Sequence, residues 1–252
     1  MDITKYNQSA WDNYVDKKDR WTIPVSERDV ENVNKGKWGV VLTPTKTVPH
    51  DWFPLLQSLK ILGLASGGGQ QCPVLALLGA QVTVFDNSEK QLLQDQTISD
   101  KFNLGIKTVQ GDMKDLSVFE DNSFDFIFNP CSILFVDSVL PVWKECFRVL
   151  KPNGILMAGL TNPISLQLDE ENLKLIYKIP FSDLHSLPTE KLEELKKKNE
   201  PLIFGHSLTD QIGGQLEAGF ILTSMYEDNW GGENVMDEYF PSFLATRAVK
   251  GK

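Results

Sequence analysis

The spacing of apolar residues divides the chain at about residue 60. Beyond that point short apolar runs alternate with amphipathic stretches: Ile61 to Leu64, Gln81 to Phe85, Ile106 to Gln110, Phe124 to Phe128 and Ile155 to Ala158 have strand length and are bounded by turn residues. Helical spacing lies between them. A first helix is expected over Gln70 to Gly79, with Pro73 in its first turn, where a missing N–H costs nothing. Ser88-Glu-Lys-Gln91 has capping-box order and opens a second helix carrying Leu92, Leu93 and Ile98. A third, Val139 to Leu150, would bury Leu140, Val142, Trp143, Phe147 and Leu150, with Lys151-Pro-Asn-Gly154 as the turn after it. Alternating strands and helices imply an α/β fold, a mostly parallel sheet covered on both faces.

The flanks follow other rules. Residues 1–58 read as a separate aromatic-rich helical segment, with Tyr6, Trp11, Tyr14, Trp21, Trp38, Trp52 and Phe53. Trp11, Tyr14 and Val15 fall at helical spacing, and Ser26 with Asp29 opens a helix over Glu27 to Lys35 that Gly36 stops. Those aromatics serve either as packing for the segment or as a lid over a ligand. Residues 59–252 read as the main domain, with a cap inserted at about 161–205 that holds Asp169-Glu-Glu171 and the charged run Lys191 to Lys198, a solvated helix face. The pattern then resumes: Ser207 with Asp210 opens a helix ending before Gly219, and strands follow at Phe220 to Tyr226 and Phe243 to Val249, the latter with Pro241 just ahead at its start or on an edge.

Composition narrows the function classes. With 252 residues, 41% of them apolar, the chain is neither disordered nor fibrous, and a formal charge of −9 argues against a surface that wraps nucleic acid. Cys72, Cys131 and Cys146 are odd in number and lack zinc spacing, so a reducing, cytoplasmic setting is expected and no metal site. Met1-Asp-Ile-Thr-Lys-Tyr has no signal-peptide pattern and no apolar run has membrane-spanning length.

Candidate chemistry centres on Lys60-Ile-Leu-Gly-Leu-Ala-Ser-Gly-Gly-Gly-Gln-Gln71, an apolar run meeting a glycine cluster and then a helix. Such a loop lets a ligand approach the main chain and meet the free N–H groups of the helix start. Asp86 ends the next apolar run, at about the spacing where a carboxylate accepts ribose hydroxyls in nucleotide-binding folds. An adenosine-bearing ligand is implied, either a dinucleotide or S-adenosylmethionine. If Gly67 and Gly69 are the first pair of G-x-G-x-x-G, Cys72 occupies the last glycine's place, and the dinucleotide fingerprint fails.

Ile61-Leu-Gly-Leu-Ala-Ser-Gly-Gly-Gly69 resembles the first motif of class I S-adenosylmethionine-dependent methyltransferases, with two departures: Gly63 stands in place of an acidic residue and Ala65 in place of a glycine. Leu64 to Gln71, Val84-Phe-Asp-Asn-Ser88 and Ala245-Thr-Arg-Ala-Val-Lys250 together resemble a bacterial subgroup of methyltransferase-domain proteins. The resemblance implies a Rossmann-like, mostly parallel seven-stranded sheet. It also implies S-adenosylmethionine as cofactor: Ala65, Ser66, Gly67, Gly69 and Gln70 along its methionine part, Asp86 on the ribose with Asn87, Ser88 and Gln91 nearby, Gly111, Asp112 and Met113 at the adenine, and Asn129 and Pro130 beside the methyl donor.

Direct in-line methyl transfer needs alignment more than acid catalysis, so no catalytic residue is assigned. His50, His185 and His206 lie away from the core strand ends, and Cys131 reads as packing. The expected acceptor is a small molecule, with no membrane or nucleic-acid partner. A protein or RNA acceptor, or a silent S-adenosylmethionine-binding regulator, are the alternatives. Oligomeric state is not legible.

Overall fold

The computed structural model describes residues 1–169 and 173–251. The apolar runs become β1 (Lys60–Leu64), β2 (Gln81–Asp86), β3 (Lys107–Gln110), β4 (Phe124–Asn129) and β5 (Leu150–Thr161), joined later by β6 (Phe220–Asp228) and β7 (Phe243–Lys250). They form one seven-stranded sheet in the order β6-β7-β5-β4-β1-β2-β3. Pairing is parallel from β3 through β5, and β7 runs antiparallel to both of its neighbours. Pro241 therefore stands ahead of an internal strand, not on an edge.

Alternate residues of each strand supply the two faces, as a period of two requires. Ile61, Val84, Phe126 and Met157 face a layer that includes α3 (Gln71–Leu77) and Trp52. Leu62, Phe85, Ile127 and Leu156 face the layer holding α5 (Leu140–Val149), whose Val142, Trp143, Cys146 and Val149 are fully buried. Between them in sequence lies α4 (Glu89–Phe102). One expectation for this region is corrected and one is refined. Leu140 is 37% exposed because it starts its helix on the outer side. Lys151 to Gly154 does turn, with Asn153 at φ 64°, but inside β5 as a bulge: the register against β4 jumps from Phe124 opposite Leu150 to Phe126 opposite Ile155, and Lys151 ion-pairs with Asp125 at 2.7 Å.

The flanks converge on the carboxyl ends of the parallel strands. Ahead of β1 come α1 (Ile3–Asp16) and α2 (Glu27–Asn34), the latter with the full Ser26–Asp29 capping box. Residues 40–48 then lie against the end of β5, where the Leu42 carbonyl accepts the Cys131 amide (2.9 Å) and a Cβ on Gly159 would sit 2.0 Å from that carbonyl oxygen. Only glycine admits this approach. Beyond β5 the chain leaves the sheet, with α6 (Thr189–Lys198) presenting the charged run to solvent and pairing Glu193 with Lys196 and Glu194 with Lys198. It returns through a π-turn at Thr209–Gly213 and α7 (Gly214–Ala218). Glu170 and Glu171 of the acidic stretch lie outside the described residues. No helix among the described residues is long and apolar enough to cross a membrane.

Candidate functional site

At the end of β1 the chain turns through Ala65, whose φ of 45° is the left-handed backbone that the family's glycine would adopt without strain. The Ala65 amide donates to Phe85 O (2.7 Å), tying the loop to β2. Asp86 then gathers the loop: its carboxylate accepts from the Gly67 amide (3.0 Å) and the Ser88 amide (2.9 Å), and its carbonyl accepts from Gly111 N (3.0 Å). Burial pushes the Asp86 carboxyl up, and those two amides pull it part of the way back. Two N–H donors leave lone pairs of the carboxylate free, since it offers about four acceptor positions. One strand further, Asp112 accepts from the Lys114 amide (2.9 Å) and from the Thr4 hydroxyl of α1 (2.8 Å).

A cavity of about 1350 Å³ lies over these strand ends. Of the residues expected at the cofactor, Ala65, Ser66, Gly67, Gln70, Asp86, Asn87, Gln91, Gly111, Asp112, Met113 and Pro130 line it. Three do not. Gly69 packs beside Pro24 and gives its carbonyl to the Val25 amide (2.8 Å). Ser88 is fully buried, capping α4 through the Gln91 amide while its hydroxyl donates to Asp12 of α1 (2.6 Å), and its amide goes to Asp86, so the reciprocal half of the capping box is not formed. Asn129 is fully buried and braces β1 against the next loop, donating to Leu64 O and Ser132 Oγ, both at 2.8 Å.

The roof is built from the flanks. Gln70 Nε2 donates to Ile23 O (3.0 Å) and Gln71 Oε1 accepts the Val41 amide (2.9 Å), so the two glutamines after the glycine loop fasten the segment 20–41 over it. Asn7, buried on α1, donates to Phe135 O (2.8 Å) and Leu202 O (3.1 Å) and accepts the Leu202 amide (2.8 Å). The aromatics divide between both expected roles: Trp52 and Phe53 join the core, while Trp11, Tyr14, Trp21 and Trp38 line the cavity with Trp230 and Phe243.

None of the three histidines lines the cavity. His50 stacks on Trp38 from behind at 4.1 Å, and His206, its basicity lowered by burial, faces Ile133 O at 3.0 Å. Cys131 does line it, 3.3 Å from the Thr161 hydroxyl, and burial raises its thiol to about 11, which keeps it protonated at neutral pH. Among the described residues no cluster of His, Cys, Asp and Glu could hold a metal. Sequence reasoning missed Asp95, fully buried under the loop with the Gly68 amide at 2.8 Å. The available signal was a carboxylate on the Leu92–Ile98 stripe of a helix.

The methyltransferase domain family matches residues 62–158. A Bacillus subtilis protein, "Uncharacterized methyltransferase YbaJ", is 51% identical over 253 residues, covering 98% of each chain. The chain belongs to the S-adenosylmethionine-dependent methyltransferases. Solved methyltransferases share the fold at low identity. The S-adenosylmethionine-dependent methyltransferase of Mesorhizobium loti has a TM-score of 0.65 at 18% identity, covering 79% of this chain and 94% of that one. A Listeria monocytogenes structure, titled as putative for the same activity, gives 0.62 at 19%, covering 80% and 95%.

This methyltransferase's departure at Gly63 has a packing cause. A Cβ there would lie 2.2 Å from Cys72 Sγ, so the first turn of α3 fills the place where the family motif carries its acid. Cys72 is fully buried with its sulfur 3.5 Å from Ser66 Oγ, and no carboxylate fits between β1 and α3.

Proposed function

We propose that the protein transfers the methyl group of S-adenosylmethionine to a small molecule enclosed in this cavity. The observation that carries the reading is the volume over the motif residues. About 1350 Å³ exceeds the roughly 300–1,000 Å³ of a single-ligand pocket, and so has room for cofactor and acceptor side by side. The adenosine half fits the residues present. Asp86 keeps free lone pairs for a ribose diol, and the buried Asn87 Oδ1 on the wall has no partner among the described residues. Asp112 and Met113 would flank the adenine, and Ala65 to Gln70 the methionine part.

A bound sulfonium cofactor supplies an electrophilic methyl group whose leaving sulfur departs neutral. The protein's own residues need to align and dehydrate. Pro130 and Cys131 at the end of β4 and Thr161 at the end of β5 form the wall beyond the cofactor residues, with the aromatics of the roof opposite. A macromolecular acceptor would require a basic or open groove. This cavity is roofed, and of its cations Arg20 and Lys114 are tied at 2.6 Å to Glu233 and Asp137, while Lys37 lies exposed at its edge.

Calorimetry with S-adenosylhomocysteine tests the cofactor, and absence of binding overturns the reading. Incubating cell extract with methyl-labelled cofactor and then separating the low-mass filtrate from protein and RNA tests the acceptor. Label in the filtrate is expected. Label confined to the macromolecules overturns the small-molecule assignment, and cofactor binding with no label anywhere marks a silent binder.

A further inference from the structure

Of the carboxylates lining the cavity, Asp86 and Asp112 belong to the cofactor reading and Asp29 caps α2, which leaves Glu200 without either use. Glu200 lines the cavity with Trp11, Tyr14, Leu195 and Pro201, far along the chain from the glycine loop. Its backbone is pinned on both sides. Asn199, closing α6 at φ 54°, donates to Ser9 O (3.2 Å), and Leu202 is held at both its amide and its carbonyl by Asn7. One carboxylate oxygen accepts the Tyr14 hydroxyl, and burial together with this charge raises the phenol's pKa, keeping it a donor. Trp11 meets Tyr14 edge-on at 5.3 Å and Phe135 at 5.0 Å, so a continuous aromatic wall leads from the loop after β4 to Glu200.

No ion pair to Glu200 is formed among the described residues. Lys198, whose charge acts on it from outside, is bound to Glu194 at 2.7 Å on α6. Within the cavity, Arg20 and Lys114 are occupied by Glu233 and Asp137, and Lys37 is exposed. Asp29, Asp86 and Asp112 also line the cavity, Asp112 with Lys114 at 3.8 Å. A carboxylate set among aromatic faces without a protein cation is complementary to a ligand cation: the charge attracts it, and the rings stabilise it by their quadrupoles by on the order of 0.5–2 kcal/mol. An alcohol gains only the hydrogen bond, and an anionic group is repelled.

We propose that the acceptor is a small molecule with an apolar body and an ammonium group that Glu200 binds, with Tyr14 orienting that carboxylate; the ammonium, having no lone pair, is the handle by which the acceptor is selected and not the atom methylated. The proposal rests on the reading of the cavity as holding cofactor and acceptor together. The two fail separately, because cofactor binding is measured first. The protein is saturated with S-adenosylhomocysteine and titrated with arylalkyl amines of increasing apolar size, each paired with its isosteric alcohol and carboxylate. Quenching of tryptophan fluorescence reports binding, with Trp11 and Trp21 on the wall. Each amine that fits should bind at least about tenfold more tightly than its alcohol. Glu200→Gln should remove that preference, with S-adenosylhomocysteine affinity in the same sample reporting an intact fold. Tyr14→Phe, which leaves the carboxylate and the ring, should weaken the preference without abolishing it. If no amine outbinds its alcohol, or the preference survives Glu200→Gln, the proposal is overturned.

Discussion

The floor and the roof of the cavity are held together in different ways. In the floor, Gly67 bonds to Asp86 across 19 residues and Gly68 to Asp95 across 27, within successive strand–loop–helix units. In the roof, Asn7 bonds to Leu202 across 195 residues, Arg20 to Glu233 across 213 and Thr45 to Asp228 across 183. Floor contacts use main-chain amides at positions the parallel sheet dictates. Roof contacts depend on individual side chains, which can be exchanged without rebuilding the sheet. A cofactor common to a family belongs on the first kind of surface, and a particular acceptor on the second.

The comparison breaks most sharply at Asn7. Asn7→Ala removes three hydrogen bonds and leaves the buried Leu202 amide unpaired, an expected loss of about 3 kcal/mol and a melting point lower by about 8 °C. Thermal unfolding measures it. Because the lesion is in the roof, S-adenosylhomocysteine affinity should fall less than the affinity for any acceptor. Equal losses would show that roof and floor are one unit.

Gly63 tests the floor in the same way. Gly63→Ala drives a methyl group into Cys72 Sγ and should cost about 2 kcal/mol by overpacking. Cys72→Ala, which removes that sulfur, should recover most of the loss in the double variant, giving a coupling of about 1 kcal/mol or more in denaturant unfolding. Strict additivity would mean that sulfur and glycine do not exclude each other.

The same division governs what could be read in advance. Strand runs, glycine loop and Asp86 were legible because period-two burial and loop chemistry are local, and most residues expected from the family motifs do line the cavity. Ser88 and Asn129 were assigned to the cofactor by position along the motif; in the fold the Ser88 hydroxyl goes to Asp12 of α1 and the Asn129 amide to Leu64 O and Ser132, while Asn129 Oδ1 has no partner among the described residues. The Lys151–Gly154 turn was legible from its Pro and Gly, but its place inside β5 was not, because that depends on how β5 pairs with β4. Glu200 carried no signal at all. It follows a charged helix in sequence and becomes a wall residue only once α1 lies against it.

Asp86 bears on the cofactor half of the comparison. Asp86→Asn keeps an acceptor for only one of the two loop amides, which sit on different carboxylate oxygens, and removes the charge a ribose diol would meet, so S-adenosylhomocysteine should bind at least about tenfold more weakly, roughly 1.4 kcal/mol or more. Affinity unchanged by calorimetry would remove Asp86 from the ribose.

A pH test of the floor concerns Asp95, which holds the loop from below. Burial raises its carboxyl to about 8, although the Gly68 and Gly69 amides pull it downward. In the unfolded chain the same group titrates near 3.9. Between those values the native state binds a proton that the unfolded state has released, so this contribution is complete below about pH 4 and is lost as pH rises toward about 8. Asp183, raised to about 6, acts in the same direction in wild type and variant alike and cancels in their comparison. Asp95→Asn cannot titrate and still accepts the Gly68 amide. Its melting temperature should therefore decline less than that of the wild type between about pH 5 and about pH 8, and parallel profiles would show that the carboxyl beneath the loop is already ionised in the native protein.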